Sequence, residues 1–344
     1  RFGCVALAPD AGRQAPTDFD RGQLVNLNHD APNTDQLQLN EQAATFPFIW
    51  IALSARGTVA KIDTSTGAIL GEYSTTSDGD SVNNPSRTTV TNDGSMWAGN
   101  RNQSSAIHVG VSESGGCVDR NGNGTIQTST GYDVVLPWPG GTDGASSSVS
   151  FATDECILHY VDTVGNDARH VSATADGNVW IGNFNAGAPS TFKLVNNATG
   201  SVMQTKVLPC GGYGGFTDGN GVLWSANSHT PKVLRWDPNA DTAGNGVDFG
   251  SNPRCINVSA YVSPAWYGAY GMAFDSDNYA WVTPYGDGNV LKISPDGLTF
   301  YSASPGTSDS RPAATRRCAS SASRRRRAIF SSTSALPPNM WPKQ

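Results

Sequence analysis

His170-Val-Ser-Ala-Thr-Ala-Asp-Gly-Asn-Val-Trp180, running into Ile-Gly-Asn-Phe184, decides the fold, because the chain repeats it. Arg87-Thr-Thr-Val-Thr-Asn-Asp-Gly-Ser-Met-Trp97 leads into Ala-Gly-Asn-Arg101. Gly214-Gly-Phe-Thr-Asp-Gly-Asn-Gly-Val-Leu-Trp224 leads into Ser-Ala-Asn-Ser228, and Gly271-Met-Ala-Phe-Asp-Ser-Asp-Asn-Tyr-Ala-Trp281 into Val-Thr-Pro-Tyr285. A fifth copy, Trp50-Ile-Ala-Leu-Ser54, keeps only the second half. Each copy reads as an alternating strand, a turn at Asp-Gly or Asp-Asn where positive φ is tolerated, and a second strand opening on an apolar residue and tryptophan. Third strands follow at Val59-Ala-Lys-Ile-Asp63, Phe192-Lys-Leu-Val195, Val233-Leu-Arg-Trp-Asp237 and Val290-Leu-Lys-Ile-Ser294; fourth strands follow at Ala68–Tyr73 and Ser201–Val207. Four short antiparallel strands per repeat of roughly 40–50 residues make the blade of a β-propeller. Five blades are evident. Ring closure predicts six or seven, with residues 5–27 or 132–165 supplying the rest. A β-sandwich explains the strands but not the recurring Asp-Gly-x-x-Trp unit.

That unit, followed by Lys-Ile-x-x-x-x-Gly, resembles the bacterial streptogramin lyase-like (virginiamycin B lyase-like) propellers and the NHL-type repeats, over roughly residues 45–305. The resemblance implies a propeller, with ligands at one mouth of a central channel lined by the innermost strands. It implies lyase chemistry resting on His and Glu groups near the channel. In that family the residue three after the tryptophan is often Glu. Here the position holds Leu53, Asn100, Asn183, Asn227 and Pro284, so the acids expected there are absent.

Three regions are expected: an N-terminal extended segment over 1–44, available for ring closure; the propeller over 45–306, with an insertion over 111–165; and an atypical basic tail over 307–344. The tail contains Arg324-Arg-Arg-Arg327 and no strand grammar. It reads either as a basic binding tail or as a disordered or out-of-frame end. With a net charge of −6 and no basic stripe in the body, nucleic acid is not an expected partner. No apolar run reaches the ~20 residues that span a bilayer. A monomer is expected.

Of the six cysteines none forms CxxC. Pairs Cys117–Cys156 and Cys210–Cys255 are expected, each closing one long loop; buried free thiols are the alternative. Disulfides imply an oxidising compartment, hence a secreted or extracellular protein, at the cell surface or in the periplasm.

The sharpest local motif is Cys117-Val-Asp119-Arg-Asn121-Gly-Asn123-Gly124-Thr125-Ile126. Side-chain oxygens at Asp119, Asn121 and Asn123, a glycine at the sixth position and an apolar residue at the eighth match the first half of an EF-hand-type Ca2+ loop. Thr125 would lend its carbonyl. Thr130 stands where a bidentate acid is usual, so Asp154 or Glu155 is expected to supply the carboxylate. The alternative is a Gly/Asn-rich turn without an ion.

At the channel mouth, Arg87, Arg169, His170, Tyr213 and Tyr270 begin inner strands, and Asn100, Arg101, Asn183, Asn227, His229 and Tyr285 follow tryptophans. Amides, guanidinium forks and aromatic faces suit glycans or carboxylated small molecules; turn capping by the Asn side chains is the competing reading. The expectation is a calcium-stabilised binding module for extracellular glycans. The alternative is a lyase or hydrolase at the mouth, with His170 or His229 as base, Tyr270 as acid and an arginine holding a carboxylate. Trp138 and Trp266 are expected in loops, either exposed as a glycan platform or covering an insertion. No Gly-x-Ser-x-Gly, His-Glu-x-x-His or phosphate-loop motif is present.

Overall fold

The computed structural model describes residues 46–78, 83–139, 148–163, 165, 167–186, 189–240, 252–261, 268–284 and 289–303, plus the pairing of strands β1 (Leu27–Asn28) and β2 (Gln38–Leu39). The basic tail, Tyr285 and Trp266 lie outside the described residues. Five antiparallel sheets follow one another in chain order. The first has three strands, β3 (Phe48–Leu53), β4 (Thr58–Asp63) and β5 (Ile69–Ser74). The second is β6 (Pro85–Val90), β7 (Met96–Asn100), β8 (Ser105–Val109) and β9 (Ile157–Asp162). The third is β10 (Ala168–Ala173), β11 (Val179–Asn183), β12 (Ser190–Val195) and β13 (Val202–Leu208). The fourth is β14 (Gly214–Thr217), β15 (Leu223–Ala226), β16 (Lys232–Trp236) and β17 (Arg254–Asn257). The fifth is β18 (Ala269–Phe274), β19 (Ala280–Pro284), β20 (Val290–Ile293) and β21 (Phe300–Ala303). Strands within each sheet pair in sequence order, and the leading strands β3, β6, β10, β14 and β18 pack side by side in turn. This is the blade arrangement of a β-propeller, with the leading strands innermost.

One turn geometry recurs in four blades. The residue three before each tryptophan has positive φ: Gly94 at 82°, Gly177 at 85°, Gly221 at 80° and Asn278 at 59°. Its N–H donates to the carbonyl three residues back, at 2.9, 3.0, 2.9 and 3.0 Å respectively. Glycine and asparagine adopt this region most cheaply, so the Asp-Gly, Asn-Gly and Asp-Asn pairs mark the turns for a physical reason.

The tryptophans then wedge between sheets. Trp97 is fully buried among Val171, Val179, Ile181 and Val195 of the next blade. Trp180 packs on Leu223, Leu234 and Trp236, and Trp224 on Ala269, Ala280 and Val282. Two indoles also donate across the interface, Trp50 Nε1 to the Gly94 carbonyl at 3.1 Å and Trp97 Nε1 to Asn197 Oδ1 at 2.7 Å. Each buried aromatic removes roughly 150–250 Å² from water, on the order of 4–6 kcal/mol gross.

The insertion is shorter than the sequence suggests. Residues 157–162 form β9 and complete the second blade, so the long gap between Trp97 and Trp180 holds a loop inside one blade and no extra blade. Of the two roles expected for Trp138, exposed platform or cover, the structure shows the cover. The indole is fully buried, packed edge-on to Tyr160 at 5.9 Å, and covers the second blade. Both expected disulfides form, Cys117–Cys156 tying the insertion to the base of β9 and Cys210–Cys255 tying the entrance of the fourth blade to its outer strand.

Candidate functional site

Strand register brings the two sets of mouth residues to one end of the blades. Pro85 pairs with Asn100, Ala168 with Asn183, and Gly214 with Ala226. Starts of inner strands therefore meet the ends of the tryptophan strands. The two sets nevertheless behave differently.

The asparagines face inward. Asn100, Asn183 and Asn227 are 0%, 3% and 1% exposed. Asn100 Nδ2 donates to the Thr75 carbonyl and to Ser105 Oγ, both at 3.0 Å. Asn183 Nδ2 donates to Thr163 Oγ1 at 2.9 Å, and Asn227 Oδ1 accepts the His229 and Thr230 N–H groups at 3.0 and 3.1 Å. Asn227 caps a turn, whereas Asn100 and Asn183 bridge to neighbouring segments; all three are buried, which differs from the expected ring of amides open to a ligand. Asn183 does line a separate cavity of about 210 Å³ with Phe184 and Pro189.

The arginines and tyrosines converge. Arg87 reaches from the second blade to the fourth and fifth, its guanidinium carbon 5.1 Å from the Tyr213 ring centre and 5.2 Å from that of Tyr270. Its guanidinium lies against Gly214, where an added methyl would make only ordinary contact at 3.5 Å. Arg169 lies 4.4 Å over the Tyr213 ring and donates to its hydroxyl at 3.0 Å. The two tyrosine rings are 5.0 Å apart and their hydroxyls share a hydrogen bond. That bond, with Arg87, Arg169 and Arg101 in electrostatic range, pulls the Tyr270 phenol below its usual value, while burial pushes Tyr213 up. Beside them opens a cavity of about 190 Å³, lined by Arg87, Arg169, Tyr270, Phe216, Val171 and Met272 among others. Phe216 is 45% exposed there. It was not singled out from the sequence, although the Gly-Gly-Phe opening of β14, where two other inner strands carry arginine, was a visible signal.

The proposed histidine bases do not sit in this cavity. His170 is fully buried, with Nδ1 3.1 Å from Ser225 Oγ and Nε2 2.9 Å from Ser172 Oγ. Burial, and secondarily Arg87, pushes its pKa down to about 3, so it is a neutral hydrogen-bonding core group; the expectation of a catalytic His170 is corrected. His229 is exposed and packs 5.3 Å from Phe184, which in turn stacks edge-on to Tyr213, one ring removed from the cavity. Asp218 and Asp275 are turn groups, each accepting an indole N–H, Trp224 at 3.0 Å and Trp281 at 2.9 Å.

The 119–125 loop winds tightly, with Gly122 and Gly124 at φ 70° and 80°. Asp119 accepts the N–H groups of Gly122, Asn123 and Gly124; Asn121 Oδ1 accepts that of Asn123, and Asn123 Oδ1 that of Thr125. The Thr125 carbonyl accepts Gln127 Nε2 at 2.8 Å. Glu155 is buried beneath the loop, its oxygens accepting the N–H groups of Arg120, Asn121 and Gln127. Among the described residues no three His, Cys, Asp or Glu side chains gather as a metal cluster.

No family model matches the chain, and no curated protein matches it. Solved structures with a similar chain path include virginiamycin B lyase from Staphylococcus aureus, at 14% identity and a TM-score of 0.47, covering 77% of this chain and 69% of that one. A protein of unknown function from Bacteroides caccae matches at 13% identity and a TM-score of 0.47, over 75% of this chain and 73% of the other. The WD40 β-propeller domain of Doa1 matches at 12% identity and a TM-score of 0.39, over 66% and 54%.

Proposed function

We propose that this chain is an exported binding β-propeller that holds an extracellular glycan at the mouth of its channel. The observation that carries the reading is the cavity where Phe216 and Tyr270 present aromatic faces among guanidinium donors. Aromatic faces take the apolar side of a sugar ring, and in-plane N–H groups take its oxygens. At about 190 Å³ the cavity is smaller than the roughly 300–1,000 Å³ of drug-sized sites, which suits one sugar residue. Two disulfides fit an oxidising compartment, and no helix among the described residues is long and apolar enough to cross a membrane.

Binding is preferred to the lyase or hydrolase reading because neither histidine lines the cavity, where Tyr270 is the one acid–base side chain besides the arginines. The 119–125 loop is read as a structural Ca2+ site. Asn121 Oδ1 spends one lone pair on a backbone N–H and keeps a second, Asn123 Oδ1 accepts from Thr125 N–H and, at 3.3 Å, from the Gln127 side chain that an ion would displace, and Asp119 and Glu155 bring two negative charges to the loop. The glycan reading is tested on an array of bacterial and extracellular-matrix glycans with the wild type and Phe216→Ala. Selective retention of a glycan class that the variant loses is expected. An array on which the two proteins behave alike would remove the reading.

A further inference from the structure

Arg169 sits half-buried at the channel mouth beside two other arginines. Burial, with Arg101 and Arg87 as neighbouring cations, pulls its pKa down; Tyr213 and Asp167 oppose the shift. Among the described residues, none of Arg87, Arg101 and Arg169 makes an ion pair with a carboxylate. Arg169 Nε is a buried donor with no hydrogen-bond acceptor among the described residues. Buried donor atoms in native proteins are almost always satisfied; Arg169 as a residue is half-buried, and its unmet Nε–H is what calls for a partner. The tyrosine faces compensate only in part: cation–π contacts contribute about 0.5–2 kcal/mol each. They also engage the flat faces of the guanidinium groups and leave the in-plane N–H forks turned to other acceptors.

We infer that the channel-mouth cavity binds the acidic group of a single sugar residue, with Arg169 and Arg87 as its anion clamp and Phe216 and Met272 as the wall for the sugar body. The inference rests on the glycan reading and narrows it to anionic residues. A carboxylate and a sulfate ester present the same planar-fork chemistry to a guanidinium, so a uronic acid and a sulfated sugar are the two sources to be separated. A neutral sugar can offer a hydroxyl oxygen to Arg169 Nε but brings no charge to offset the two guanidinium groups, and a charge-assisted hydrogen bond is the stronger one.

Isothermal titration with glucuronate, glucose 6-sulfate, glucose, acetate and inorganic sulfate tests this on the whole chain. Glucuronate or the sulfated hexose is expected to bind at least about tenfold more tightly than glucose, a charged hydrogen bond contributing roughly 1.5–3 kcal/mol. Whichever of the two binds more tightly identifies the source. Arg169→Gln and Arg87→Gln are expected to abolish that preference, with circular dichroism confirming that each folds. On the wild type alone, added salt should weaken the acidic sugar and leave glucose unaffected, a readout that survives even if both variants misfold. Glucose binding as tightly as the acidic sugars, without salt dependence, overturns the anion clamp and leaves the glycan reading standing. Acetate or inorganic sulfate binding as tightly as the sugars does the reverse: the anion clamp holds, and the sugar reading falls. Absence of all binding overturns both.

Discussion

Two buried histidines set how stability responds to acid. His108 is 1% exposed, stacked 4.5 Å from Trp97, with Nδ1 2.9 Å from His159 Nδ1 and Nε2 2.8 Å from Ser95 Oγ. Burial, and secondarily His159, pushes its pKa down to about 3, as burial does for His170. Unfolded histidine titrates near ~6.5. Between about pH 6.5 and 3 the unfolded chain therefore binds more protons than the folded one, and stability falls as pH falls through that window. Each histidine adds a slope of about 1 kcal/mol per pH unit. Carboxylates held low by turn hydrogen bonds, such as Asp63 at about 2, begin to add their loss below about pH 5, so the range from about 6.5 to 5 reports chiefly the histidines. The melting temperature should drop across that range in the wild type and drop less in His108→Gln. A flat wild-type profile, or an unchanged slope in the variant, would contradict this account. Residue identity announced neither role. His170 was read as a mouth group because it begins an inner strand, but the pleat alternates sides: Arg169 turns to the channel and His170 to the core.

The elements whose chemistry is local were legible in advance. A glycine or asparagine three before each tryptophan is demanded by positive φ, and a sequence displays that demand directly. The insertion was harder, because β9 has no tryptophan partner and its place depends on pairing with β8 across a loop stapled by Cys117–Cys156. The loop's proposed ion can be tested at this scale. Ca2+ that binds only the folded chain stabilises it by RT ln(1 + [L]/Kd), about 2.7 kcal/mol at a hundredfold excess over Kd, or on the order of 5–10 °C for a domain of this size. Calcium should raise the melting temperature, EDTA should reverse the effect, and Asp119→Ala should remove it. If Ca2+ and EDTA give the same melting temperature, the loop is a hydrogen-bonded turn without an ion. Asp119 already accepts three backbone N–H groups, so Asp119→Ala should also cost some stability without calcium; the diagnostic is the lost response.

At the scale of the whole molecule, the repeat unit states that tryptophans at Trp97, Trp180, Trp224 and Trp281 are equivalent, and the structure says they are not. The first three are at most 2% exposed, each covered by the blade that follows; Trp281, on the fifth sheet, is 38% exposed. Periodicity encodes what each blade is, and only the assembled ring decides which faces are covered. The same limit applies to the mouth, where Arg87, Arg169 and Tyr270 come from three blades and meet through the packing of inner strands. Convergence was readable as an expectation for the group, but the sorting of arginines outward and asparagines inward was not. The consequence for stability is direct. Trp97→Ala empties a site packed by two blades and should cost about 3–5 kcal/mol. Trp281 keeps its hydrogen bond to Asp275 and lies 4.9 Å from Lys292 Nζ, contacts at a surface where water replaces much of what is lost, so Trp281→Ala should cost less than half as much. Guanidinium unfolding midpoints at a common slope measure both. Equal losses would mean that Trp281 is as well covered in solution as Trp97, and that the fifth blade ends against another layer of protein.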